Sequence, residues 1–424
     1  MKVGIYSLGC KVNIYESEYV ISLLKDNGYS ICDFNSKCDI YIINTCMVTN
    51  ESEKKDRKII REAKRNNPDA IIIVMGCYSQ IHGEIVDADI VIGNKDKSKI
   101  IDLINEYKEK KESIKRIYDI SKIEFEPMFI NEFNEHTRAF VKIQDGCNAF
   151  CSYCIIPYAR GRVRSKSFDS VISEVTNLVN RGYKEIVLTG IHTGRYGIDI
   201  NTNLETLLRE LVNIPNIYRI RLSSIEINEV TDGILSLMKE NKIMAKHLHI
   251  PLQSGSDKIL KLMNRRYDKA YFLRRVEEIR KEIPDISLTT DLIVGFPQEG
   301  ETEFLETMDT LKKISFTHIH TFPYSKRDGT PAATMDGQVD PIIKKTRVHK
   351  VIDLSLLQEK DFYLKHIGQE FEIITEVRHD KTEGYTSNYI PVEINENVLN
   401  NSLVKVKITE VKDDHCIGIL VKDN

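Results

Sequence analysis

Apolar residues fall in short, evenly spaced runs over the first hundred positions, and each run is followed by a polar stretch with helical periodicity. Strand-like runs at 2–8, 39–45, 70–76 and 88–92 alternate with helical stretches such as 16–27 and 52–66. That alternation predicts parallel strands joined by crossover helices. Residues 101–136 are charged and weakly patterned, and read as a terminal helix plus a connector. From 137 a second series begins, with strands expected at 138–143, 185–188, 218–222, 247–252, 287–294 and 317–322 and helices at 169–181, 204–212, 231–240, 269–282 and 302–312. Six strand–helix repeats fall short of the eight that close a barrel, so an open, partial (β/α)6 barrel is expected. Residues 341–366 read as a linking helix. Beyond 367, QEFEIITEV, GYTSNYIPVEI, LVKVKITEV and CIGILV alternate with period 2, predicting a small β-barrel. The expected division is 1–110, 137–366 and 367–424.

At 424 residues the chain exceeds what one hydrophobic core usually serves. No apolar run reaches the roughly 20 residues of a membrane helix, and the start, MKVGIYSLG, lacks the features of a signal peptide. A cytoplasmic location is expected, so the Asn50-Glu51-Ser52 glycosylation pattern carries no weight. In a reducing compartment clustered cysteines are metal or redox ligands before they are disulfides. Net charge is −3 but uneven. Residues 53–65 carry seven basic and three acidic side chains, and residues 261–281 eight and three. Residues 155–168 hold Arg160, Arg162, Arg164 and Lys166 with no acid. Together these runs predict a phosphate-binding surface. The last segment runs the other way, with six basic against eleven acidic residues over 367–424. RNA contact there would fall to stacking by residues such as Tyr385 and Tyr389.

Six of the nine cysteines form two groups of three. Cys147, Cys151 and Cys154 lie in GCNAFCSYCIIP, just after an expected strand. Cys10, Cys46 and Cys77 each close a strand-like run: KVGIYSLGC, CDIYIINTC and AIIIVMGC. Ligands of parallel sheets bind at the carboxyl ends of strands, so three neighbouring strands would bring these thiols together. Thiolates select zinc, copper(I) or iron–sulfur clusters. Three ligands leave one iron of a cubane cluster open for a substrate or cofactor. The competing reading is zinc completed by a histidine such as His192, although the paired spacing of zinc modules is absent. Cys32, Cys38 and Cys416 are read as structural.

GCNAFCSYCIIPYARGRVRS resembles the signature of radical S-adenosylmethionine (SAM) enzymes, and within them of the methylthiotransferases. SLGCKVNIYES and NTCMVTNESEKKDRKIIR match that family's N-terminal motifs. IPLQSGSDKILKLMNRRY, TTDLIVGFPQEGETEF and TFPYSKRDGTPAATM match its barrel motifs, and the C-terminal segment resembles the TRAM module. The resemblance implies an α/β protein with a flavodoxin-like N-terminal domain, a partial radical-SAM barrel and a TRAM β-barrel. It implies two 4Fe-4S clusters. One, on Cys147, Cys151 and Cys154, would bind SAM and cleave it to a 5′-deoxyadenosyl radical. The other, on Cys10, Cys46 and Cys77, would deliver sulfur to a carbon radical. Tyr153, Gly190, Ser224, Glu226 and Gln253 would contact SAM. GCKVN resembles the group that modifies N6-threonylcarbamoyladenosine beside the anticodon of tRNAs reading ANN codons, with flavodoxin or ferredoxin as electron donor. The isopentenyladenosine group tends to show a glutamine–methionine pair at Lys11 and Val12 and is the alternative. A non-catalytic, zinc-containing RNA-binding protein is the alternative from another class.

Overall fold

The computed structural model describes residues 1–47, 50–85, 87–133, 137–378 and 381–421. In the first sheet, β1 (Lys2–Ser7), β2 (Ser30–Cys32), β3 (Ile40–Thr45), β4 (Ile71–Gly76), β5 (Ile90–Ile92) and β6 (Ile114–Arg116) stand in the order β2-β1-β3-β4-β5-β6. Every pairing is parallel, and the order is flavodoxin-like. β3 and β4 are buried along their whole length, which is why they are nearly unbroken apolar runs. Side chains alternate across the sheet. Ile40, Ile42 and Ile73 meet α1 (Lys11–Asp26) and α4 (Ile100–Lys110) on one face. Tyr41, Ile43, Ile72 and Val74 meet Ile59, Ile60 and Ala63 of α2 (Asn50–Asn66) on the other. The short α3 (Cys77–Ile81) follows β4 directly. Strands β2 and β6 went unread in the sequence, because three residues at a sheet edge show no period. Cys32 and Cys38 are joined as a disulfide, a pairing that the compartment expected from the sequence did not suggest.

The second unit contains β7 (Arg138–Lys142), the small hairpin β8 (Gln144–Asp145) and β9 (Arg164–Ser165), then β10 (Glu185–Thr189), β11 (Arg219–Leu222), β12 (His247–His249), β13 (Ser287–Val294) and β14 (His318–Pro323). β11-β10-β7 and β12-β13-β14 are parallel three-stranded sheets. Backbone bonds from Ile220 N to Ile243 O, Ala245 N to Ile220 O and Ile225 N to His249 O join them. The result is the open six-stranded barrel expected. Five helices cover it, α6 (Phe168–Asn180), α7 (Leu204–Leu211), α8 (Asp232–Glu240), α10 (Lys269–Glu282) and α11 (Glu301–Ile314), and their apolar faces share the largest core with the strands. Short α5 (Ile156–Arg160) and α9 (Asp257–Leu262) stand at the rim. α12 (Pro341–Leu364) lies along β14; its start is set by the Asp340 carboxylate, which accepts from Ile342 N, and by proline at the first position.

The last unit is a closed barrel, β15 (Glu370–Arg378), β16 (Lys381–Tyr385), β17 (Pro391–Ile394), β18 (Leu403–Val411) and β19 (Cys416–Leu420), in the order β15-β16-β17-β19-β18. Its core includes Ile373, Val392, Val406, Ile408 and Cys416, whose thiol burial pushes up to about 12. Arg219 Nη1 donates to Tyr385 O at 2.7 Å, Arg138 Nε to Glu376 Oε1 at 3.1 Å and Lys184 Nζ to Asn401 O at 2.6 Å. Tyr385 and Tyr389 stack at 4.7 Å, with Arg138 over the first ring and Arg221 and His247 against the second. Arg138, Arg219 and His247 begin their strands, so the tyrosines close the lower end of the partial barrel. Their ring faces are thus engaged by groups of the partial barrel. Among the described residues no helix is long and apolar enough to cross a membrane.

A candidate site between two cysteine triads

The loop bearing Cys147, Cys151 and Cys154 leaves β8 and returns through α5 to β9. Gly146 adopts φ +72°, and a Cβ there would stand 1.9 Å from Arg162 O. Only glycine lets the loop close, with Cys147 N donating to Gly161 O at 2.9 Å. The three thiols lie within electrostatic reach of one another, and burial raises Cys151 and pushes Cys154 up to about 12. Cys147 Sγ is 3.3 Å from His192 Nδ1; His192 Nε2 is 3.1 Å from Glu229 Oε2, and Arg195 Nε forms an ion pair with the same carboxylate at 2.6 Å. Burial opposes protonation of His192, but the Cys147 and Glu229 contacts override it and raise the imidazole to about 10. Cys151 Sγ accepts from Arg265 Nη1 at 3.5 Å, and the same guanidinium pairs with Glu226 and with Tyr267. A cleft of about 210 Å³ opens over Cys151, His192, Glu226, Glu229 and Arg265.

Glu226 thus lines the cleft, at the carboxyl end of β11. Ser224 is exposed on the same rim segment. Gly190, past β10, is packed so closely by Gln144 that a Cβ would meet its Oε1 at 2.9 Å, and that oxygen accepts from His192 N at 2.7 Å. Gln253 has φ +64° and bridges to β13 through Asp291 O and Ile293 N. Tyr153 lies against Phe296, Tyr324 and Ala332, with burial raising its phenol.

In the other triad, Cys10, Cys46 and Cys77 follow β1, β3 and β4, which are adjacent strands. Gly9 has φ +98°, and its Cβ position is 2.8 Å from Cys46 Sγ, so the turn before Cys10 rests against Cys46. Cys77 is within electrostatic reach of Cys10. Cys10 is exposed, while Cys46 and Cys77 are buried. Cys77 Sγ accepts from Arg160 Nε at 3.2 Å and Asn94 Nδ2 at 3.6 Å. Arg160 is wholly buried and belongs to α5, the helix directly after the other triad. Its remaining donors bind Asn13, Glu16 and Asp145. Lys97 and Lys142 join Glu16, and Lys142 and Arg164 join Asp145. Four buried cations therefore face two carboxylates beside Cys77.

These residues fit iron–sulfur clusters. The donors are soft thiols in sets of three, and the excess positive charge suits a negatively charged thiolate cluster. Among the described residues no three thiol, imidazole or carboxylate groups converge on one point; cysteines that each bind a different iron need not.

The lumen of the partial barrel is polar. His249 Nε2 pairs with Asp291 Oδ2 at 3.2 Å, and His320 lies 5.6 Å from His249 and 4.5 Å from His318, ring to ring. Burial, with the two neighbouring imidazoles, holds His320 down at about 4. Arg219 and Arg221 pair with Glu185.

The basic runs divide. Lys54, Lys55, Arg57, Lys58 and Arg61 of α2 are exposed. In 155–168, however, Arg160, Arg164 and Lys166 are buried and paired, and only Arg162 is exposed, over the Phe150 ring. That run serves the interior, which corrects the phosphate-binding expectation for it. Arg160, Asn94 and Arg265 were absent from the sequence-based site; the one signal for Arg160 was its place directly behind the three cysteines.

The radical SAM superfamily profile matches residues 141–311, and that of "Uncharacterized protein family UPF0004" matches residues 2–93. The threonylcarbamoyladenosine tRNA methylthiotransferase MtaB of Bacillus subtilis (strain 168) is 44% identical over 421 residues, 96% of this chain and 93% of its own length. The protein of that name from Aquifex aeolicus (strain VF5) is 37% identical, over 93% of this chain and 96% of its own. A tRNA-2-methylthio-N(6)-dimethylallyladenosine synthase from Acetivibrio thermocellus is 35% identical, over 98% and 90%. Among solved structures, the radical SAM methyltransferase TsrM from Kitasatospora setae, with cobalamin and a 4Fe-4S cluster bound, superposes with a TM-score of 0.57 at 14% identity, over 78% of this chain and 76% of that one. The partial barrel with its cysteine loop is the radical SAM fold. This chain belongs to the radical SAM tRNA methylthiotransferases, enzymes that use SAM and iron–sulfur clusters to place a methylthio group on tRNA.

Proposed function

We propose that the chain methylthiolates C2 of N6-threonylcarbamoyladenosine next to the anticodon, with Cys147, Cys151 and Cys154 holding one 4Fe-4S cluster and Cys10, Cys46 and Cys77 the other. The observation that carries the cysteine assignment is the Arg160–Cys77 bond, which ties the N-terminal triad to the helix behind the barrel triad. The substrate reading rests on the 44% identity to a threonylcarbamoyladenosine enzyme, against 35% for a dimethylallyladenosine one. When bound, the clusters and SAM supply a radical able to take hydrogen from an unactivated carbon, together with the sulfur and methyl to be added.

The protein's own groups bind and orient. Arg265 fixes Cys151 and Glu226 together, leaving the Glu226 carboxylate at the cleft. His192 ties Cys147 to Glu229 and Arg195. Tyr153, Gly190, Ser224 and Gln253 complete the proposed SAM contacts. The exposed cations of α2 suit the tRNA backbone. The reaction is placed in the cytoplasm, with a flavodoxin- or ferredoxin-class electron donor.

Nucleoside mass spectrometry tests the reading, on tRNA from a host lacking this gene, with the gene restored as wild type or as Cys147→Ala. The 2-methylthio group is expected on threonylcarbamoyladenosine with wild type only. Its appearance on isopentenyladenosine would move the substrate, and no change in any nucleoside would remove the tRNA reading.

A further inference from the structure

Arg327 lies in the segment that leaves the carboxyl end of β14. Lys326 and Asp328 on either side are exposed, whereas Arg327 is turned inward and is 3% exposed. Its backbone is fixed: Thr330 N and Thr330 Oγ1 both donate to Arg327 O, at 3.1 and 2.7 Å. Two residues further on, Ala332 N donates to Ser152 O in the loop of the barrel triad at 2.8 Å. Arg327 Nη1 crosses to the N-terminal unit and pairs with Glu53 of α2, the helix that follows Cys46. One turn along the same face, the buried Asp56 carboxylate accepts from Cys46 N at 3.4 Å. The guanidinium is therefore held within a helical turn of the group that fixes Cys46, and Cys46 lies within its electrostatic reach. Its other edge is empty. Among the described residues, Arg164 and Arg347 each leave one buried nitrogen without a hydrogen-bond partner, but Arg327 leaves two, Nε and Nη2.

We propose that Nε and Nη2 of Arg327 donate to sulfur of the cluster on Cys10, Cys46 and Cys77, beside Cys46, as Arg160 donates at Cys77. This rests on the cluster assignment above and deepens it. Nε and Nη2 form one edge of a planar fork, two donors that point the same way. Sealed from water without an acceptor, such an edge is costly. A resident acceptor removes that cost at all times, an entering substrate only while it is bound. The burial of both nitrogens therefore favours the cluster over a phosphate or carboxylate of RNA. Cluster sulfur carries the negative charge that a guanidinium edge matches. Arg160 and Arg327 both belong to the barrel half of the chain, so the N-terminal cluster is completed from across the joint, on two sides.

The test is pulsed EPR and potentiometry on the full-length chain, reconstituted under anaerobic conditions. Cys147, Cys151 and Cys154 are changed to alanine so that one cluster remains, and arginine is labelled with heavy nitrogen in its guanidinium group. The reduced cluster is expected to show label couplings from two guanidinium groups. Arg160→Lys and Arg327→Lys should each remove one of them. Arg327→Lys should also shift the midpoint potential downward at unchanged iron content. A merely structural role would move neither reading. If Arg327→Lys loses iron, the Arg160→Lys protein decides: a surviving coupling supports the proposal and its absence overturns it. Unchanged coupling and potential in iron-replete Arg327→Lys overturn it as well. Should that variant also bind an anticodon stem-loop more weakly in anisotropy titrations, the free edge belongs to an RNA phosphate instead. A protein in this background that takes up no iron overturns the cluster assignment itself, and the part of Arg327 with it.

Discussion

Arg160 is wholly buried, and it donates to Cys77 Sγ at 3.2 Å and to oxygens of Asn13, Glu16 and Asp145. Hydrogen bonds to ligand sulfur stabilise the more negative, reduced state of a cluster and raise its potential. Arg160→Lys keeps the charge but loses the fork. It should lower the midpoint potential of the cluster proposed on Cys10, Cys46 and Cys77, read by EPR potentiometry in a background with Cys147, Cys151 and Cys154 changed to alanine. An unchanged potential would mean the bond to Cys77 is merely structural. Arg160→Gln leaves Glu16 and Asp145 short of a partner and should cost about 3–5 kcal/mol in chemical denaturation. Little of this was legible in the sequence. Cysteines announce themselves by spacing and strand position, whereas a long side chain that meets a thiol 83 residues away leaves no local pattern.

At the scale of elements, long and strongly periodic segments read well: β3, β4, β13, α10 and α12 lie within a few residues of expectation. The hairpin β8–β9, the edge strands β2 and β6 and the short helices α5 and α9 did not, because two to six residues hold less than a full period of evidence for either pattern. The C-terminal barrel read correctly as an element, and its seating on the partial barrel was not legible. Its tyrosines are turned inward by Arg138, Arg221 and His247, and no period-2 pattern says which partner an exposed ring will find. Tyr389→Ala should therefore act on stability, by about 3 kcal/mol, and should leave the affinity for tRNA unchanged. Thermal denaturation and anisotropy titrations with tRNA check the two halves. An affinity loss worth about 1–3 kcal/mol in the folded variant would mark a stacked base.

For the whole molecule, Glu16, Lys97, Lys142, Asp145, Arg160 and Arg164 join the N-terminal sheet to the partial barrel. Burial alone would raise the Glu16 carboxyl, but Arg160, Lys142 and Lys97 outweigh it and hold it well below its ordinary 4.5. A carboxyl depressed on folding contributes stability that is fully present above its unfolded pKa and is lost as pH falls below it. The stability of this joint should decline from about pH 4.5 downward. Glu16→Gln should lower stability at neutral pH and flatten that acid limb, as read by denaturation across pH. If the two curves stay parallel, Glu16 is not the group that titrates.

The same joint bears on descent. Glu16 and Lys97 come from one half of the chain and Lys142, Asp145, Arg160 and Arg164 from the other, so a recombination event within 111–137 that swapped the halves of two relatives would inherit only part of the charge set. Such a hybrid would fold each half around its own core and still mis-seat one triad against the other. The six positions are expected to change together or not at all, which makes correlated substitution among relatives an independent record of the gap the enzyme must keep between its two cysteine sets.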